Sequence, residues 1–233
     1  MIKLERTDVM NFENAIRGMR NPMNSWDKGD SFVCEERCET CKYRNIDDFY
    51  GCYKSLTNFV IGHNDLKLAT NLCKAGSDHG KFLRQIFVSV DITAPFYWWK
   101  EFDTYKVGTV SNSCSTMHKI HSKEITLDDF SIDNFTLEGD EVDMELNDFF
   151  LNVVADCEML RQKFLETKDK RYWRGLVQLL PSSYNQMRTC TLNYEVLRNM
   201  YHARKNHKLV EWHEFCRWVE TLPYAQELIV DTK

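Results

Sequence analysis

The segment Leu180-Pro-Ser-Ser-Tyr-Asn-Gln-Met-Arg-Thr-Cys-Thr-Leu-Asn-Tyr-Glu-Val-Leu-Arg-Asn-Met-Tyr-His-Ala-Arg204 holds a helix stop, a short Thr-rich stretch and a new helix in 25 residues. Pro181 has no N–H to give, so it ends a helix that the pattern over Lys170 to Leu180 predicts. Arg188 to Asn193 is short and Thr-rich, a strand or a tight linker. Tyr194 to Arg204 then reads as an amphipathic helix, followed by a second over Leu209 to Leu222 that stops at Pro223.

Upstream lies the longest periodic stretch. Val142, Leu146, Phe149, Val153, Cys157, Leu160 and Phe164 recur at three/four spacing, which predicts a helix over Glu141 to Glu166 with one apolar stripe for a core or a partner helix. Phe87 to Thr93 alternates with period two, a strand, and Ala94-Pro95 opens an aromatic helix from Phe96. Gly108 to Met117 is small and polar, the composition of a ligand-facing loop or a surface turn. His79 to Phe87 reads as a helix. A further helix starts near Asn64, puts Leu66, Ala69, Leu72 and Cys73 on one face, and ends at Gly76. Ile2 to Val9 alternates like a strand with Ile2, Leu4 and the stem of Arg6 on one face, Phe12 to Met19 is a short helix, and Asn21 to Trp26 a loop. Strands mixed with helices predict an α/β (α+β mixed) chain, residues 1–233, as a single domain.

The 233 residues are 43% hydrophobic and 13% aromatic with nine Gly and four Pro, which suits a packed core and excludes fibrous or disordered classes. No window approaches the run of apolar residues that a membrane helix needs, so no membrane partner is expected. Met1-Ile-Lys-Leu-Glu-Arg lacks the apolar core of a secretory signal, and the expectation is a cytoplasmic protein with reduced thiols. The net charge of −5 is segregated: Glu124 to Glu158 carries twelve Asp/Glu and no Lys/Arg, while Arg161 to Arg217 carries twelve Lys/Arg against five Asp/Glu. An acidic chain is a poor binder of nucleic acid polymers, but its basic third suits a compact anion such as a nucleotide; solvated helix faces would give the same segregation.

Cys34, Cys38, Cys41 and Cys52 stand as C-x3-C-x2-C-x10-C within residues 31–53, a Cys-rich insertion. Four converging thiolates can close a tetrahedral Zn site or hold an iron–sulfur cluster. Unliganded thiols in an inserted loop, or a redox role, are the other readings. Zinc sites usually use two C-x2-C pairs, and one is present here.

The interval pattern from Leu180 resembles the C-terminal signature of the flavin-dependent thymidylate synthases: a Leu-Pro, a Tyr, then T-x-N-x-R-x-L-x-N and a downstream Arg, matched without a gap by Pro181, Tyr184, Thr191, Asn193, Leu197, Asn199 and Arg204. Thr93 to Phe102, including Lys100 and Glu101, resembles the stretch leading into that family's R-H-R-x-x-S-x-N-E-x-S-x-R motif, and His79 resembles the His of its E-H-x-x-F segment. The resemblance covers residues 64 to 220 in order and implies a central sheet flanked by long helices. It also implies a homotetramer with active sites shared between subunits, FAD as cofactor, and NADPH and methylenetetrahydrofolate as co-substrates if the chain is catalytic.

Carried over by position, Asn193, Asn199, His79 and Thr104 fall to the cofactor. Arg204 falls to the uracil ring of a dUMP-like nucleotide, with Tyr105 and Lys106 beside the flavin or phosphate. Lys100, Glu101, Asn112, Ser113, Ser115 and Arg174 fall to the nucleotide substrate. The departures concern charge. Thr104-Tyr105-Lys106 stands where the motif has Arg-His-Arg, Ser113 stands for its Glu, Met117 for its final Arg, Glu195 for the Arg of N-x-R, and Val177 for a further Arg with Arg174 nearly one turn away. Each lost charge-assisted phosphate bond removes about 1.5–3 kcal/mol. Lys100, Lys106, Arg174 and Arg188 are candidate replacements. Three functions are compatible with this: a divergent synthase making a methyl or other one-carbon transfer to a pyrimidine, a catalytically inactive nucleotide sensor or sequestering protein on the same fold, and a structural assembly protein.

Overall fold

The computed structural model describes residues 2–34, 56–133 and 141–232. The main elements are strand β1 (Lys3–Met10), helix α1 (Phe12–Gly18), strands β2 (Phe32–Val33) and β3 (Phe59–Val60), α2 (His63–Lys74), β4 (Phe87–Pro95), α3 (Phe96–Phe102), β5 (Val110–Ser113), α4 (Thr116–Lys119), α5 (Glu141–Thr167), α6 (Lys170–Leu179), β6 (Asn185–Asn193), α7 (Tyr194–Arg204), α8 (Val210–Glu220) and α9 (Ala225–Leu228). Four strands form a sheet in the order β1-β4-β6-β5, and β2 pairs antiparallel with β3 through Phe32 opposite Val60. The fold is therefore the expected mixture of sheet and helices.

The chain divides into two compact units. One comprises Met1–Lys3, Ile92–Thr104 and Asn112–Arg188; the other comprises Leu4–Asp91, Tyr105–Ser111 and Thr189–Lys233. Strands β4 and β6 each begin in one unit and end in the other. β4 shows why it is a central strand: Val88, Val90, Ile92 and Ala94 are fully buried, while Phe87 is exposed and Ser89, Asp91 and Thr93 are half-buried, a period of two maintained over its length. β6 follows the same rule with Gln186, Cys190 and Leu192 inward, which resolves the choice between strand and linker in favour of a strand.

In the unit that contains the C-terminus, Phe12 of α1 meets Tyr194 and Tyr224 edge-on at 5.4 and 5.7 Å. The Tyr194 hydroxyl donates to the Pro223 carbonyl at 2.7 Å, and the Tyr224 hydroxyl accepts from Ile61 N–H at 2.9 Å. Asn193 starts α7 as its cap, with Oδ1 accepting from Val196 N–H at 3.0 Å. In the other unit α5 packs along α6, with Gly175 against Leu160. A core of Ile120, Ile125, Phe130, Phe150, Val154, Cys157, Leu176 and Tyr184 lies under them.

Several sequence expectations are corrected. The stretch from His79 is a 3-10 turn over Lys81–Gln85 and then strand, because Gly80 interrupts it and the β-branched Ile86, Val88 and Val90 favour extension. Gly108 to Met117 contains β5 and the single turn of α4 rather than a plain loop, and Asn21 to Trp26 is wound into short 3-10 turns. Pro95 is the cap of α3 and does not sit in its first turn. Along α5 the buried row is Asn147, Phe150, Val154 and Cys157, while Leu146 and Phe149 of the expected stripe are exposed, Phe149 by 68%. In β1 the face changes at Arg6, whose φ of 52° breaks the alternation, so that Val9 and not Arg6 turns inward.

Candidate functional site

Arg204 closes the last turn of α7, where a cation complements the helix dipole. Its Nε donates to the Tyr105 hydroxyl at 2.9 Å, and its guanidinium carbon lies 4.9 Å from the Trp212 ring centre and 5.5 Å from that of Tyr105. Trp212 is fully buried and its ring stands 6.3 Å from the Tyr105 ring. Two aromatic rings, one of them the phenol that accepts from Nε, thus pack against one guanidinium, an arrangement suited to donation to a carbonyl or an imide anion. The sequence brought Arg204 and Tyr105 forward, and the structure places them in contact. Trp212 was missed as a partner, since in sequence it reads as an ordinary core position of α8.

The loop that carries Tyr105 is pinned to the start of α7. Gly108 has φ of 77°, and a Cβ there would come within 2.7 Å of Asn193 Nδ2 and 2.9 Å of Val196. Only a residue without a side chain permits this approach in that conformation. Beside it, the Thr109 hydroxyl is buried with no hydrogen-bond partner among the described residues. Asn193 is buried with Oδ1 committed to the cap, whereas Asn199 is exposed further along α7. Lys106 is exposed.

Glu195 belongs to a local ion cluster. Arg84 Nε and Nη2 clasp Glu195 at 2.5 and 3.1 Å, and Arg198 Nη2 lies 3.9 Å from the same carboxylate. His79, exposed at the head of the 3-10 turn, lines a cleft of about 1130 Å³. Its apolar wall is Met19, Met23, Leu68, Leu72 and Phe82, and its cations include Lys28 and Lys81. The buried Arg20 at its edge is held by Asp65: Arg20 Nε donates to Oδ1 at 2.6 Å, and the other carboxylate oxygen accepts from Asp30 N–H, Ser31 N–H and the Ser31 hydroxyl. Burial pushes the Asp65 carboxyl up, but hydrogen bonds from Ser31, Arg20 and the Asp30 N–H, with the Arg20 charge, outweigh it and leave it below the usual carboxylate value.

The remaining predicted residues belong to the other unit. Thr104 donates through its hydroxyl to the Glu101 carbonyl at 2.7 Å, closing the end of α3, and Lys100 is exposed on that helix. Asn112 and Ser113 are exposed on β5. Ser115 caps α4 and lines a pocket of about 480 Å³ together with Lys3, Lys119 and Lys123; Asp128 and Asp129 line it too, with Lys123 paired to Asp129. Lys119 sits two positions beyond Met117, so a cation is present close to the place where the sequence lost one. Arg174 is exposed on α6 without an ion pair among the described residues. Arg188 is a correction to the list of available cations: it donates to Asp103 at 2.7 Å and to Gln186 at 3.0 Å and lies 4.1 Å over Trp99, so its charge is already balanced.

Of the four clustered cysteines, Cys34 is half-buried as a free thiol, and Cys38, Cys41 and Cys52 lie outside the described residues. Among the described residues no group of His, Cys, Asp or Glu has metal-site geometry, and no helix is long and apolar enough to cross a membrane.

No family model matches the chain, and no curated protein matches it in sequence. Solved structures do match, and they place it in a class: the chain has the fold of the flavin-dependent thymidylate synthases. Two are crystal structures of thymidylate synthase ThyX from Helicobacter pylori with FAD and dUMP, each 14% identical. One has a TM-score of 0.62 over 100% of this chain and 99% of that one; the other has 0.61 over 99% and 98%. A third is the UMP/dUMP methylase PolB from Streptomyces cacaoi bound with 5-Br dUMP, 14% identical with a TM-score of 0.62 over 99% of this chain and 95% of that one.

Proposed function

We propose that the protein binds a pyrimidine nucleotide of the dUMP type together with FAD, and that it transfers a methyl or other one-carbon group to the base. The observation that carries the reading is the Arg204 guanidinium packed against Trp212 and hydrogen-bonded to Tyr105 at the end of the helix that Asn193 begins. A guanidinium fixed in this way favours the ionised imide of a uracil ring, the form in which the ring carbon is nucleophilic. The similarity of fold to structures holding FAD and dUMP, and to a UMP/dUMP methylase, supports the same ligands here.

The residues fit a flavin on two counts: the Thr109 hydroxyl is buried without a partner in a loop that Gly108 lets approach Asn193, and the cleft beside His79 has the size and mixed lining of a dinucleotide site. Asn193, Asn199 and His79 would hold the cofactor, which when bound supplies hydride and one-carbon chemistry. The protein's own contribution is to orient the base on Arg204 and to exclude water with Trp212 and Tyr105.

A second reading, binding without turnover, is favoured by one feature. Tyr105 replaces a motif His, and its hydroxyl already accepts from Arg204 Nε, a bond that competes with the base. Calorimetric titration of dUMP into the FAD-supplemented protein tests both. Saturable binding that Arg204→Ala weakens by tenfold or more, about 1.4 kcal/mol, supports the site; unchanged affinity in that variant refutes it. Methylated product from dUMP, NADPH and methylenetetrahydrofolate separates enzyme from binder.

A further inference from the structure

The nine cysteines of the chain differ in what their thiols can do. Cys73, Cys157, Cys190 and Cys216 are buried, and burial pushes the thiols of Cys73 and Cys157 up to about 11 and that of Cys216 up to about 12, which keeps them protonated and inert. Cys34 is half-buried, and Cys114 is the exposed cysteine among the described residues. Cys114 directly follows β5, and its backbone is tied to β6 twice: its N–H donates to the Met187 carbonyl at 2.9 Å, and its carbonyl accepts from Gln186 Nε2 at 2.8 Å. The exposed thiol thus stands on a fixed backbone in the wall of the pocket of about 480 Å³, all of whose lining belongs to one compact unit.

A second group in that wall points to a ligand. Tyr184 is 8% exposed, with its ring against Phe96 at 5.5 Å and Phe130 at 5.6 Å, yet its hydroxyl has no hydrogen-bond partner among the described residues. Burial pushes the phenol up to about 12, and Asp129 and Cys114 add to the push, so it stays a donor at any ordinary pH. Tyr184, Asp129 and Cys114 all line the pocket, which places the polar end of the ring toward it. A buried donor without a partner is satisfied by an acceptor that enters from the pocket. The charges there favour an anion: Lys123 is paired with Asp129, Asp128 is the other carboxylate, and Lys3 and Lys119 are exposed with no ion pair among the described residues. Two ammonium groups and a phenol suit a small molecule that carries carboxylates and a carbonyl, and the thiol beside them bonds to sulfur.

We propose that Cys114 is a modification site for an anionic low-molecular-weight disulfide of the glutathione disulfide type, with Lys3 and Lys119 receiving its carboxylates and Tyr184 donating to a peptide carbonyl. The Cys114 thiolate attacks one sulfur of the reagent. The reagent's S–S bond breaks, a new S–S bond to Cys114 forms, and the other half leaves as a thiolate that takes up the proton Cys114 released. One disulfide replaces another, so no further oxidant is consumed, and excess free thiol reverses the exchange. The adduct fills the pocket that Ser115 also lines. The inference does not depend on the nucleotide and flavin reading.

The test exposes the reduced full-length protein to glutathione disulfide and, separately, to the uncharged 2-hydroxyethyl disulfide, with adducts located and timed by peptide mass spectrometry. Cys114 is expected to take the glutathione adduct ahead of Cys73, Cys157, Cys190 and Cys216. It should prefer the charged reagent more than a neutral model thiol does, and lose that preference as salt is raised. Lys119→Ala, at an exposed position, should slow reaction with glutathione disulfide by roughly two- to fivefold and leave the uncharged reagent unaffected. Lys3→Ala should act in the same direction, and Tyr184→Phe, which keeps the packed ring, should also slow the charged reagent alone. The absence of an adduct at Cys114, a reagent preference equal to that of the model thiol, or an equal effect of Lys119→Ala on both reagents overturns the inference.

Discussion

Replacing Asp65 by Asn removes one negative charge from a pair whose side chains are 7% and 3% exposed, Arg20 and Asp65 respectively. The loss is larger than that of a surface pair for two reasons visible in the geometry. Arg20 stays behind as a buried cation with, among the described residues, the Ser25 and Lys28 carbonyls to answer it, at 3.3 and 3.1 Å. The second carboxylate oxygen accepts from Asp30 N–H, Ser31 N–H and the Ser31 hydroxyl, and an amide that turned its NH2 toward them would set donor against donor. Breaking one side of a buried pair costs about 3–5 kcal/mol, which in a protein of this size lowers the melting temperature by roughly 10 °C. The pH dependence has a definite sign. A carboxyl held below its ordinary value contributes its stability above the unfolded-state pKa and loses it as pH falls through the lowered folded value. The wild-type protein should therefore lose stability on acidification below the ordinary carboxylate range, and Asp65→Asn should lose part of that slope as well as its overall level. Thermal melts followed by circular dichroism between pH 3 and 7 (roughly the span of that titration) measure both. A loss under about 1 kcal/mol, the worth of an exposed pair, would refute the reasoning that this pair is buried and holds the cleft wall.

Glu158 gives an independent acid signature: hydrogen bonding to Arg161, against the upward push of burial and aided by Ile125 N–H, brings its carboxyl down from 4.5 to about 2. Its contribution is complete above the ordinary value and is lost as pH falls toward about 2, so Glu158→Gln should flatten the acid limb of a stability profile. Gly108→Ala must place a Cβ at φ of 77° and 2.7 Å from Asn193 Nδ2, and should cost at least about 1 kcal/mol in denaturant melts while weakening nucleotide binding through the displaced Tyr105 loop. Tyr105→Phe removes the acceptor of Arg204 Nε without removing the ring, and titration should show weaker dUMP binding because the guanidinium loses the bond that orients it; tighter binding would show that the bond competes with the base.

The parts of the fold that could be read from sequence were those with strong local signals. Pro181 as a stop, the amphipathic pattern from Tyr194 to Arg204 and the alternation of Val88, Val90 and Ile92 each act over a few residues, and β4, α6 and α7 lie where those signals put them. Elements decided by packing were less legible. The rotation of the α5 stripe from Phe149 to Phe150 depends on where α6 and the Phe130 cluster lie, and the helix pattern near His79 gave way to extended chain beside α7. At the site, interval matching singled out Arg204 and Tyr105, but not Trp212, because its ring meets Arg204 only through the packing of α8 on α7. Glu195 gives no sign in sequence of its partner; in the structure it is bound by Arg84 from the turn before β4.

Flavin binding is the property on which the proposed chemistry depends most directly. The purified protein, supplemented with FAD and freed of excess, should be yellow, should bleach when reduced nicotinamide cofactor is added, and should recover its absorbance in air. A preparation that stays colourless and retains no added FAD would contradict it.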